Sequence, residues 1–196
     1  MAPFGTLDRR AAVASLLTDR GGLLVVSGLG SPTYDVFAAG DHDANFYLWG
    51  AMGGAAMIGL GLALAQPARP VAVITGDGEL LMGVGSLLTI AVKQPGNLTV
   101  VVLDNGHYGE TGGQLSHSGH GVDLAKIASS AGFGRVVTVG TPDEVAAART
   151  MLHRKAGGPR LLRVRIAPGE TKRALPTQDG VFLKNRFRQN LRYAVS

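Results

Sequence analysis

The sequence predicts an α/β fold, a single doubly wound domain with a mainly parallel sheet flanked by helices. Short runs rich in Val, Leu and Ile recur along the chain, and segments of helical periodicity separate them. The 196 residues suffice for one well-buried core and fall short of two ordinary domains, so residues 1–196 are expected to form one unit. With 45% hydrophobic and only 17% charged residues, the composition is that of a folded globular chain.

Each element has its own signal. Leu23–Ser27, Val71–Thr75, Leu98–Leu103, Arg135–Val139 and Leu161–Ile166 are apolar runs of strand length, as expected for strands buried on both faces. Helical patterns occupy Leu7–Asp19, Thr33–Ala39, Met52–Ala65, Leu80–Lys93, Asp123–Ala131 and Pro142–Lys155. The last opens on Thr141, Pro142 and Glu144, a capping box with proline at the first helical position. Strands joined through helices run parallel, with helices on both faces. Two stretches fall outside the alternation. Residues 106–121 are glycine-rich, carry three histidines and lack apolar periodicity, which predicts a functional loop. Residues 171–196 form a basic tail with a helical pattern over Val181–Ala194.

Composition narrows the function. The chain has no cysteine, which excludes disulfide frameworks and cysteine-ligated zinc. The uncharged run Tyr47–Ala65 approaches membrane-span length, but its five glycines and lack of basic flanks favour a strand end followed by a buried helix. The first residues lack the apolar core of a signal peptide, so a cytoplasmic location is expected. The net charge of +5 is scattered until the tail and has few aromatics interleaved, which fits small anions better than nucleic acid. The 29 glycines gather at strand ends and in one apolar helix, where backbone can approach a ligand or another chain.

The strongest motif begins where the strand at Val71 runs into Gly76-Asp77-Gly78 and a helix. In a parallel sheet ligands bind at the carboxyl ends of the strands. Small glycines admit a diphosphate, and helix N–H groups face it. A carboxylate at such an anionic place requires a cation between the two, and Mg²⁺ is the metal that prefers carboxylate plus phosphate oxygens. Glu79 in the same first turn suits the helix dipole. The next strand ends in Asp104-Asn105-Gly106-His107, with Asn105 28 residues beyond Asp77, one helix and one strand on. Adjacent strand ends would let Asp77, Asn105 and a nearby backbone carbonyl share one metal.

Gly-Asp-Gly followed by Asn at this spacing resembles the thiamine-diphosphate motif. The segments NFYLWGAMGGAAMIGLGLALAQP and LDNGHYGETGGQ resemble the β subunits of sulfopyruvate decarboxylase and the matching domain of phosphonopyruvate decarboxylase. The likeness runs from about Leu23 to Gly121. It implies a thiamine-diphosphate-binding fold with Asp77, Asn105 and the carbonyl of His107 on Mg²⁺. It also implies Met52 beneath the thiazolium, Gly50 and Met52 backbone on the pyrimidine, and Gly30 and Ser31 on the diphosphate. Gly76, Gly78, Glu79, Tyr108 and Gly109 complete the expected cofactor contacts, and the His107 imidazole is placed to reach substrate. The family's activating glutamate lies in a separate pyrimidine-binding domain. Glu79, Glu110, Glu144 and Glu170 are this chain's glutamates, and none lies in a segment resembling that domain. The resemblance therefore implies a partner α subunit, in a heteromer of α2β2 or larger. The small residues of the glycine-rich helix Met52–Ala65 make it a candidate for part of that interface. The implied reaction is decarboxylation of a 2-oxo acid. A second anionic group on the substrate would meet Lys172, Arg173, Lys184 or Arg186.

Alternatives stand beside this reading. The chain departs from the family at Ser116-His117-Ser118-Gly119-His120, where Pro-Thr is usual after GGQ, and this leaves the substrate open. A carboligase forming an acyloin and a non-catalytic thiamine-diphosphate-binding module remain as other readings. His117-x-x-His120 has chelate spacing without an acidic or cysteine partner nearby. Gly28-Leu29-Gly30-Ser31 begins like a dinucleotide fingerprint, but the third glycine and the distal acid are missing.

Overall fold

Alternating runs of apolar residues and helical periodicity fold into a doubly wound sheet in the computed structural model, which describes residues 4–193. In chain order the strands are β1 (Leu24–Ser27), β2 (Asn45–Tyr47), β3 (Val71–Gly76), β4 (Leu98–Asp104), β5 (His107–Tyr108), β6 (Gln114–Leu115), β7 (Arg135–Val139) and β8 (Arg160–Arg165). The helices are α1 (Arg9–Leu17), α2 (Ser31–Ala38), α3 (Ala55–Ala65), α4 (Asp77–Met82), α5 (Gly85–Lys93), α6 (Leu124–Ala131), α7 (Pro142–Ala148) and α8 (Gly180–Asn190). Six strands form one parallel sheet in the order β2-β1-β3-β4-β8-β7.

Successive residues of the central strands point to opposite faces, and both faces are dry. Ala72, Ile74, Val101 and Leu103 pack with α1 and α7 on one side; Val71, Val73, Val100 and Val102 pack with α3, α5 and α6 on the other. Helix α8 sends Leu183 into the first layer and Phe187 into the second, so it covers the β2 edge. The capping box at α7 forms as its sequence predicts, with Thr141 and Glu144 exchanging hydrogen bonds.

Several boundaries differ from the sequence expectation. Of strand β2 only the end at Tyr47 is expected from the sequence; it is three residues that open on a buried Asn45 held by Arg20. The strand expected to be buried at Arg135–Val139 is the far edge, with only Val139 fully covered. Met52 lies in a turn ahead of α3 rather than in the helix. The helix expected over Leu80–Lys93 breaks at Gly83-Val84 into α4 and α5. A Cβ at Gly83 would overlap the carbonyl oxygen of Gly53, so the break is where the Met52 turn docks. The loop expected at residues 106–121 contains a small hairpin, β5 paired antiparallel with β6. Ala194, the end of the expected last helix, lies outside the described residues. The run Tyr47–Ala65 divides into the end of β2, a turn and the 11-residue α3, and no helix among the described residues is long and apolar enough to cross a membrane.

Candidate active site

The chain leaves β1 toward β2 on one side and leaves β3 toward β4 on the other, so the sheet has its topological switch point between β1 and β3. Loops from these two strands diverge and leave a crevice at their carboxyl ends. A cleft opens there. Ser31, Met52, Gly76, Asp77, Gly78, Glu79, Asn105, His107, Tyr108 and Gly109 all line it. Gly30 and Gly50 are not among the lining residues.

Pairing of β3 with β4 places Gly76 opposite Leu103, so Asp77 and Asp104 follow as neighbours on adjacent strand ends. Both carboxylates are buried. Burial raises the Asp77 pKa from its ordinary value, and the nearby Asp104 charge raises it further; hydrogen bonds from Ser116 and Ser118 oppose the shift. Asp104 is paired with Arg163 of β8 at 2.6 Å, whereas Asp77 has no ion-pair partner among the described residues. A cation at Asp77 would relieve that burial penalty directly.

Beyond β4 the backbone turns on Asn105. Its Oδ1 accepts from the His107 N–H at 2.9 Å, and the His107 Nδ1–H donates to the Asn105 carbonyl at 2.7 Å. The His107 ring tilts against Phe4, with centroids 4.8 Å apart. The Tyr108 hydroxyl pairs with His117 Nδ1 at 2.7 Å, and its ring lies against Gly78, where a Cβ would come within 2.6 Å. Gly78 is therefore required by tyrosine packing alone, whatever the cleft binds. Among the described residues no three His, Cys, Asp or Glu side chains gather as metal ligands. The oxygen donors present are a carboxylate, an amide and backbone carbonyls, a hard set suited to Mg²⁺.

The wall formed by Met52 is a strained turn. Ala51 sits at φ 56° and Gly53 at φ 89°, and the Gly54 N–H closes the turn onto the Ala51 carbonyl at 2.8 Å. A non-glycine residue in the left-handed region is held there by its surroundings, and such residues cluster at functional sites. Glu79 braces the turn from below. Instead of resting in solvent at the start of a helix, it is buried, accepts from Thr75 Oγ1 at 2.7 Å and fills the space a side chain at Gly28 would need. Burial raises its pKa, and the Thr75 hydroxyl with the backbone N–H groups of Ala55 and Gly53 pulls it back.

The tail contributes one of its four candidate cations to the cleft. Arg173 lines it and stacks over Tyr34 at 5.9 Å, on a strap where Gly169, Glu170 and Thr171 are also wall residues. Arg186 does not reach the site: it pairs with Asp41 at 2.7 Å and lies over Tyr47 and Phe182. Lys172 and Lys184 are likewise not lining residues. Three participants were not among the expected site residues. Arg9 lines the cleft, ion-paired to the fully buried Asp35 and hydrogen-bonded to Thr171 Oγ1 at 2.7 Å. Ser116 and Ser118 reach Asp77 from beneath.

Residues 33–164 match the family model of the thiamine pyrophosphate enzyme C-terminal TPP binding domain. The chain belongs to the thiamine pyrophosphate enzymes. Among relatives of this TPP-binding domain, phosphonopyruvate decarboxylase of Streptomyces hygroscopicus is 43% identical over 145 residues, which cover 74% of this chain and 35% of the relative. The chain therefore spans about a third of that protein's length. The sulfopyruvate decarboxylase subunit beta of Methanothermobacter thermautotrophicus is 37% identical over 172 residues, 88% of this chain and 89% of the relative. Among solved structures, a Mycobacterium smegmatis protein described as thiamin diphosphate-dependent superposes with a TM-score of 0.69 at 29% identity. The match covers 86% of this chain and 33% of that one.

Proposed function

We propose that the chain is the β subunit of a thiamine-diphosphate- and Mg²⁺-dependent 2-oxoacid decarboxylase whose active site is completed by a pyrimidine-binding α subunit. The observation that carries this reading is the convergence of Asp77, Asn105 and His107 in one cleft at the ends of adjacent strands. The named activities of the relatives support the reaction, and the subunit beta relative, matched over nearly its whole length, supports a partner chain.

In this reading Asp77, Asn105 and the His107 carbonyl would hold the metal. Ser31, at the start of a helix without a side-chain cap, offers hydroxyl and N–H groups to the diphosphate. Met52, on its strained turn in the cleft wall, would support the cofactor, and the neighbouring backbone would face its pyrimidine. When bound, thiamine diphosphate supplies the nucleophilic carbon and the electron sink for loss of CO₂. The His107 ring is steadied by Phe4 and the Asn105 carbonyl, and from the cleft wall it would reach the substrate. Arg173 is the cation of the strap that meets a second anionic group, which favours sulfonate- or phosphonate-bearing 2-oxo acids over simple ones.

The test is reconstitution with a pyrimidine-domain chain and measurement of CO₂ release from sulfopyruvate, phosphonopyruvate and pyruvate. Cofactor-dependent release, greater for the dianionic acids, is the expected result. Formation of an acyloin without net aldehyde release would move the reading to a carboligase.

A further inference from the structure

The segment that departs from the family pattern, Ser116 to His120, touches the proposed metal ligand. Ser116 is completely buried, and its hydroxyl donates to Asp77 Oδ2. Its oxygen accepts from the Gly119 N–H at 3.4 Å, which leaves the hydroxyl proton for the carboxylate. Ser118 Oγ stands 2.8 Å from the same Asp77 Oδ2, 2.8 Å from Asp104 Oδ1 and 2.9 Å from Ser116 Oγ. Asp104 already accepts from Arg163 Nε at 2.6 Å and the Gly106 N–H at 3.1 Å. Two hydroxyls thus converge on one oxygen of Asp77. Among the described residues no side chain donates to the other, Oδ1.

The serines are held independently of Asp77. The Ser116 N–H donates to the Gly106 carbonyl at 2.8 Å, and His120, Gly121 and Val122 close a compact turn onto the carbonyls of Ser116, Ser118 and His117. A Cβ at Gly119 would overlap the Gly106 carbonyl, so the two chain segments cross at backbone contact. A buried carboxylate with one oxygen pinned by a rigid turn has its rotation fixed, and its remaining oxygen is aimed. Groups of this kind orient metal ligands, and their loss typically lowers metal affinity about ten- to a hundredfold.

We propose that Ser116 and Ser118 are positioning residues that clamp Asp77 Oδ2 so that Oδ1 is presented to the cation. The inference rests on the cofactor reading given above. The test titrates Mg²⁺ into the full chain at fixed thiamine diphosphate, followed by calorimetry, for wild type, Asp77→Ala, Ser116→Ala, Ser118→Ala and Ser118→Thr. Ser118 lines a second cavity with Phe4 and Val122, so threonine at this position keeps the hydroxyl beside open space. The Mg²⁺ concentration for half-saturation should rise about tenfold or more in each serine-to-alanine variant and return toward wild type in Ser118→Thr. Melting temperatures taken alongside separate aim from packing. Alanine variants that melt lower but keep the wild-type Mg²⁺ titration overturn the clamp while leaving the cofactor reading intact. Wild-type binding that ignores Mg²⁺ overturns both.

Discussion

Arg163 is the place where the electrostatics of the site can be measured without any ligand. Its Nε is 2.6 Å from Asp104 Oδ2, with 3% of the aspartate side chain and 17% of the arginine exposed; its contact with the half-exposed Asp123 is longer, 3.5 Å. Arg163→Met keeps the bulk and removes the charge, leaving Asp104 buried beside Asp77. Removing one partner of a buried pair costs about 3–5 kcal/mol. The partial exposure of Arg163 and the donor that remains on Asp104, the Gly106 N–H, place this case near the lower end, about 3 kcal/mol. For a domain of this size each kcal/mol shifts the melting temperature by about 2–4 °C, so the variant should melt about 6–12 °C lower. Adding Asp104→Asn removes the stranded charge and should recover most of the loss. Thermal melts followed by circular dichroism read both. A single variant within about 2 °C of wild type, or a double variant no better than the single, would refute the assignment of a buried charge pair that stabilises the strand ends.

Other consequences are sharper in sign than in size. Asp77 has a folded pKa raised above its ordinary 3.8, so its contribution to the stability of the ligand-free chain is full below that value. The contribution is lost as pH rises through the raised folded value, because burial then confines a charge. Ligand-free Asp77→Asn should consequently melt above wild type at neutral pH, with the advantage vanishing in acid; an advantage independent of pH would contradict this. In α3, Gly61→Ala meets nothing and should gain about 1 kcal/mol from helix propensity. Gly59→Ala would overlap Val73 Cγ2, and overpacking of about 2 kcal/mol less the propensity gain should lose about 1 kcal/mol net, so equal melting temperatures for the two variants would show α3 wrongly seated. In the reconstituted enzyme Arg173→Ala should raise KM about tenfold for a dianionic substrate and leave pyruvate unchanged, since a charged hydrogen bond is worth about 1.5–3 kcal/mol. Equal effects on both would remove Arg173 from specificity.

The part of the site carried by regular elements was legible in the sequence. Asp77 and Asn105 are separated by a helical stretch and a strand, and the run Leu98–Leu103 is uniformly apolar, so adjacency of the strand ends followed from the pattern. The split of α4 from α5 was less visible because Gly83 interrupts the helix for a tertiary reason, the approach of Gly53. Strand β2 was legible only as an end at Tyr47, because three residues beginning with a buried asparagine offer no period to read. The departure from the family pattern marked Ser116 to His120 but gave the two serines no role, since hydroxyls in a glycine-rich loop are ordinarily solvated and only the crossing at Gly119 turns them inward. Arg186 misled for a related reason: its partners Asp41 and Asp43 lie far away in sequence, and charge composition does not say which face a helix presents.

The most direct test of the central claim is calorimetric titration of the chain with thiamine diphosphate, with and without Mg²⁺, with ADP as competitor and Asp77→Ala as control. The account predicts saturable binding that requires Mg²⁺, is not displaced by ADP and is lost in the variant. Binding that persists without Mg²⁺ or survives Asp77→Ala would contradict it.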